Sequence, residues 1–106
     1  MNKIIHMQGD IQLEPCSIPK GEKVFEGKEY IVAWGEVTGH AHRVKVKDAN
    51  IQVLKDSEGQ MYLFLGEKGE LTHEEHGTHE LTPGWYKIGH EREHDYFQNE
   101  SRRVID

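Results

Sequence analysis

Turn formers punctuate this chain so closely that no stretch of about eleven residues keeps a helical apolar period between caps. What lies between the turns is short and β-rich. Ile11-Gln12-Leu13 alternates, and Pro15 and Pro19-Lys20-Gly21 then read as a loop whose prolines offer no ladder donors. Val24-Phe25 touches the core briefly before Gly27 turns the chain. Tyr30-Ile31-Val32-Ala33-Trp34 is nearly continuous in apolar character and reads as a central strand buried on both faces. Arg43-Val44-Lys45-Val46-Lys47 alternates cleanly. Ile51-Gln52-Val53-Leu54-Lys55 and Met61-Tyr62-Leu63-Phe64-Leu65 flank a hairpin loop at Asp56-Ser57-Glu58-Gly59. A turn at Gly66-Glu67-Lys68-Gly69 leads into Glu70-Leu71-Thr72-His73. A short strand follows over 78–81, then the turn Pro83-Gly84, then the longest extended candidate, from 85 to about 94. Arg102-Arg103-Val104-Ile105 reads as a closing edge strand. Short strands at regular spacing predict a small single-domain, all-β barrel or roll of mostly antiparallel strands. Residues 1–6 read as an N-terminal extension and 7–106 as the β domain.

At 106 residues there is room for one core and not two. No apolar run is long enough to cross a bilayer, and the apolar start is too short for a secretory signal, so a cytoplasmic location is the default. The formal charge is −6 with histidines neutral, a balance that argues against phosphate-backbone partners. Arg43, Lys45 and Lys47 alternate along one segment and read as a solvated face. Cys16 is the only cysteine, which excludes an intrachain disulfide. It sits in the proline loop and reads as a packed thiol rather than a nucleophile. Neither a phosphate loop, a G-x-S-x-G elbow nor a C-x-x-C pair is present.

The chemistry therefore rests on histidine. Eight histidines outnumber the leucines. Gly35-Glu36-Val37-Thr38-Gly39-His40-Ala41-His42 places two of them one residue apart, on the same face of an extended segment. Parity puts His42 with Val44 and Val46, facing the core, and His40 joins them if the strand is unbroken. A second cluster, His73-Glu74-Glu75-His76-Gly77-Thr78-His79, lies some thirty residues on. On a strand His73 and His76 would face opposite ways, so a break is needed, and Gly77 is the residue to make it. Of the two, His76 sits nearer that break. Imidazole is the commonest metal ligand, and three or four donors hold zinc or a similar divalent ion. The expected ligands are His40, His42, His73 and His76, with Glu75 or Glu36 as general base. His79, His90 and His94 read as structural. His6 carries no weight.

The succession Gln8-Gly9-Asp10, then Gly35-Glu36-Val37-Thr38-Gly39-His40-Ala41-His42, His73-Glu74-Glu75-His76, Pro83-Gly84-Trp85-Tyr86, Glu91-Arg92-Glu93 and Arg103-Val104-Ile105-Asp106 resembles a family of short uncharacterised proteins of bacteria and their phages. The likeness runs from Met7 to Asp106 with order preserved. Members usually show Gln-Arg-Glu-Tyr where this chain has Glu91-Arg92-Glu93-His94. The resemblance implies a shared architecture and site without a reaction, and it carries over His40, His42, His73 and His76, with Glu36, Glu74 and Glu75 close behind. A looser likeness joins the strand-borne His-x-His to the cupin barrel, but the first histidine after Pro83-Gly84 is His90, too far on for that pattern.

Two readings follow. One is a divalent-metal protein, a small hydrolase-type enzyme acting on a small molecule. The other is a non-enzymatic binding or assembly module, phage- or mobile-element-associated, in which histidines make structural or pH-sensitive contacts in a homo-oligomer. Neither involves nucleic acid or a membrane.

Overall fold

A computed structural model describes residues 5–34 and 39–90. In chain order the strands are β1 (His6–Gln8), β2 (Ile11–Cys16), β3 (Glu22–Gly27), β4 (Glu29–Trp34), β5 (Ala41–Lys45), β6 (Ile51–Lys55), β7 (Met61–Leu65), β8 (Gly69–Thr72), β9 (His79–Leu81) and β10 (Gly84–His90). No helix occurs among the described residues. The strands form two antiparallel sheets, one ordered β1-β2-β10-β7-β6-β3 and the other β4-β5-β8-β9. Of the barrel and the roll, the described strands build the open form, since neither sheet closes on itself.

Alternation makes the core. Ile11 and Leu13 on β2, Ile51 and Val53 on β6, Leu63 and Leu65 on β7, and Tyr86 and Ile88 on β10 all point inward from the larger sheet. Val44, Leu71 and Leu81 meet them from the smaller one, so one contiguous apolar layer joins the sheets. The chain crosses between sheets at β3–β4, β5–β6, β7–β8 and β9–β10. Corners leave backbone donors and acceptors that need partners. At the β5–β6 corner Glu67 accepts the amides of Lys47, Asp48 and Ala49, and those bonds hold its carboxyl below the usual range. At the β9–β10 corner the Tyr86 hydroxyl donates to the Thr82 carbonyl at 2.7 Å.

Three local expectations are corrected. The 30–34 segment is not a central strand buried on both faces: β4 is the edge of the smaller sheet, and Trp34 is 66% exposed. Its apolar run serves a half-covered edge, with Tyr30 and Val32 packed against the core. Pro15 and Cys16 lie within β2 and not in a loop, opposite Tyr86 and Trp85. The break in the second histidine cluster is longer than a bulge at Gly77: it includes that glycine but opens before His73, because β8 ends at Thr72 and strand structure resumes only at His79. The hairpin at 56–60 is as read: Gly59 adopts φ +88, and Asp56 Oδ1 accepts the amides of Glu58 and Gln60. The proposed edge strand at 102–105 lies outside the described residues. β1 opens at His6, the last residue of the stretch read as an extension.

Candidate metal centre

His42 is the anchor. Its place on β5 beside Val44 buries it to 4% exposure, as parity requires. The β4–β5 pairing slips between Ile31 and Ala33, so Ala33 lies opposite His42 across a bulge. Burial pushes His42 below the ordinary histidine value; His73 and His76 add to that, while Asp10 and Glu74 oppose it. The ring is therefore held neutral, the form that binds metals.

The residues between β8 and β9 bring the second cluster over this ring. Because 73–78 is irregular, His73 and His76 escape strand parity and both reach His42. The His42 and His73 ring centroids are 4.3 Å apart, His73 and His76 are 4.7 Å apart, and His42 and His76 are 6.0 Å apart. His40 lies outside β5, just after Gly39 at φ +86, and its ring meets His73 edge-on at 5.8 Å. All four expected histidines are thus gathered: His42, His73 and His76 form a triangle, and His40 joins it through His73.

Their nitrogens are not equivalent. His73 Nδ1 accepts the Glu75 amide at 3.0 Å, which puts the proton of neutral His73 on Nε2. His40 Nδ1 is buried with no hydrogen bond; Glu75 Oε2 is 3.3 Å away but not in bonding orientation. A buried ring nitrogen without a partner is the kind of group an ion would satisfy. His40, His73 and Glu74 offer donor atoms within 4.8 Å of one another, a spacing that could hold an ion. Glu74 is already engaged: Oε1 accepts the Ala41 amide at 3.0 Å and Oε2 accepts from Arg43 at 2.8 Å. The Arg43 bond, with the Ala41 amide, holds its carboxyl at about 2. Its main work is to strap the loop to β5.

Sequence reasoning assigned no role to the β1–β2 turn, which forms the floor of the cluster. Gly9 has φ +60, and a Cβ there would stand 3.4 Å from His42 Nε2 and 3.3 Å from His76 Nε2. Both nitrogens line the space that glycine leaves open. Gln8, only 2% exposed, bonds to His42, to Leu71 of β8 and to Gly77 of the loop. The signal available was a polar Gln-Gly-Asp between short β segments, which by itself says turn and no more.

The remaining assignments lie at or beyond the margin of this cluster. Glu75 is near His40, with its side chain 57% exposed. Glu36 and His94 lie outside the described residues. His90 stands on β10 opposite Ile11. His79 is part-buried, as expected, and its Nδ1 lies 3.4 Å from Nδ1 of His6, so the histidine given no weight has a partner.

A family model described as "Domain of unknown function (DUF8820)" matches residues 7–91. No curated protein and no solved structure matches the chain.

Proposed function

The chain belongs to that family of domains of unknown function, and we propose that it binds a divalent transition-metal ion, zinc or one of similar ligand preference, through His40, His42, His73 and His76. One observation carries the reading: imidazoles from β5, from His40 just before it and from the 73–78 loop approach to centroid separations of 4.3–6.0 Å. Like-charged rings would repel at such distances, so the cluster favours neutral imidazoles, the ligating form; His73, whose Nδ1 accepts the Glu75 amide, would ligate only on releasing that bond or moving its proton off Nε2. Gly9 keeps open the space between two of the nitrogens.

A zinc ion held by three histidines with one open position activates water for hydrolysis. Glu75, exposed and beside His40, is placed to act as the base in that form of the reading. Elemental analysis of protein purified without a histidine tag tests the ion. About one equivalent per chain is expected, and it should vanish in the His40→Ala/His42→Ala double variant. Stoichiometric metal in that variant rules the site out.

A second reading is non-enzymatic: histidines make pH-sensitive contacts, of which the His6–His79 pair is an example within the chain, and others would lie in a homo-oligomer. A chelator would then leave thermal stability unchanged while oligomer size changes near pH 6. Constant size from pH 5 to 8 removes it.

A further inference from the structure

Gln8 is a fully enclosed amide with every polar hydrogen and its oxygen engaged. Its Nε2 lies 3.1 Å from the Leu71 carbonyl and 2.8 Å from the Gly77 carbonyl. Carbonyls only accept, so both amide hydrogens are spent on them and the flipped orientation is excluded. The oxygen then faces His42 Nδ1 at 2.9 Å, and an amide oxygen can only accept. His42 must therefore carry its proton on Nδ1, which leaves Nε2 as a bare lone pair. That nitrogen lines the space at Gly9 together with His76 Nε2.

We propose that Gln8 is a positioning residue for the histidine cluster: it selects the Nδ1-protonated tautomer of His42, aims Nε2 at the Gly9 space, and ties the His76-bearing loop to β1 through Gly77. Ligating histidines are oriented in this way, by an acceptor on the nitrogen that does not bind. The inference deepens the metal-binding reading and rests on it for the effect on affinity, but not for the tautomer. A single buried side chain bonded to β5, β8 and the 73–78 loop also explains how an exposed histidine, His76, is kept over a buried one.

The two parts separate experimentally. Long-range ¹H–¹⁵N spectra of the metal-free, full-length protein near pH 7.5 should show His42 protonated on Nδ1 and bare on Nε2. In Gln8→Met, which keeps length and loses the amide, His42 should move toward the Nε2-protonated form, and zinc affinity should fall about 10–100-fold. A wild-type His42 protonated on Nε2 overturns the proposal, and so does a Gln8→Met variant with wild-type tautomer and affinity. If Gln8→Met does not fold, the wild-type spectrum decides alone. An Nδ1-protonated His42 in a wild type that takes up no zinc upholds the tautomer assignment and ends the metal reading.

Discussion

Arg43 and Glu74 bond at 2.8 Å across the gap between β5 and the 73–78 loop, and the same carboxylate accepts the amide of Ala41. Arg43 also reaches Glu29 at 3.3 Å, so one guanidinium links β4, β5 and the loop. Arg43 uses two different nitrogens, Nε for Glu29 and Nη1 for Glu74, a spread that the single nitrogen of a lysine does not reproduce. Glu74→Ala should free the loop: zinc affinity should drop about tenfold, and the Ala41 amide should exchange faster with solvent. Arg43→Lys should give a smaller change in the same direction. Unchanged exchange at Ala41 in Glu74→Ala would show that the strap does not hold the loop. The pH sign follows from the carboxyl held at about 2: the strap's contribution is present above the ordinary carboxylate range and disappears as pH falls toward 2.

Occupancy of the cluster should also stabilise the fold, since an unfolded chain presents no assembled site. At zinc a hundredfold above its dissociation constant, the gain is about 2.7 kcal/mol. For a domain of this size that corresponds to a rise in Tm of roughly 10–20 °C. Differential scanning fluorimetry with zinc and then with excess chelator reads it directly. The same rise in a His42→Ala/His76→Ala variant would place the ion elsewhere.

Much of this arrangement was legible in the sequence. Period-two alternation located the inward residues of β6 and β7, and parity set His42 on the face of Val44. The convergence of residues 40–42 with 73–76 could be suspected because both are histidine clusters in one small β domain, and their rings do meet. Illegible was what depends on sheet position. Tyr30 to Trp34 has the composition of a central strand, but edge or centre is settled by which partners arrive, and among the described strands β4 pairs with β5 alone. Gln8 entered the family resemblance only as part of Gln8-Gly9-Asp10, and its role was hidden for the same reason. Its role comes from a side chain that reaches from β1 to the Leu71 and Gly77 carbonyls, a long-range contact that no local pattern encodes.

His6 gives the fold a pH dependence separate from the cluster. Burial, and then its neighbour His79, hold it below the usual histidine value of 6.5. The groups facing it are His79 of β9, at 3.4 Å between Nδ1 atoms, and the Tyr86 ring of β10. Below 6.5 the unfolded chain binds a proton that the folded one resists, so stability rises with pH across that window. It should be complete above about pH 6.5 and decline as pH falls through the lowered value. Metal-free protein should lose Tm between pH 7.5 and 5.5, and His6→Phe should flatten that slope in part. His42, shifted the same way, leaves the rest. An identical slope in His6→Phe would show that His6 titrates as it does in the unfolded chain.

Two glycines separate backbone strain from site geometry. Gly9 and Gly59 both hold positive φ, +60 and +88, so alanine at either costs about 1–2 kcal/mol of backbone energy. Their surroundings differ. A Cβ at Gly59 meets nothing within 4 Å, whereas one at Gly9 stands 3.1 Å from His42 Cε1 and 3.3 Å from His76 Nε2. Gly59→Ala should therefore lower Tm and leave zinc affinity and the histidine resonances untouched. Gly9→Ala should lower Tm at least as much, displace the His42 and His76 resonances, and weaken zinc binding by about tenfold or more. Gly9 neighbours Gln8, so a rigid shift of the whole turn is the competing cause. Retention of the Gln8–His42 hydrogen bond, read from the His42 Nδ1 proton, distinguishes the two. With that bond intact and zinc lost, the added methyl has filled the ion's space; with affinity unchanged, the space at Gly9 is not where the ion sits.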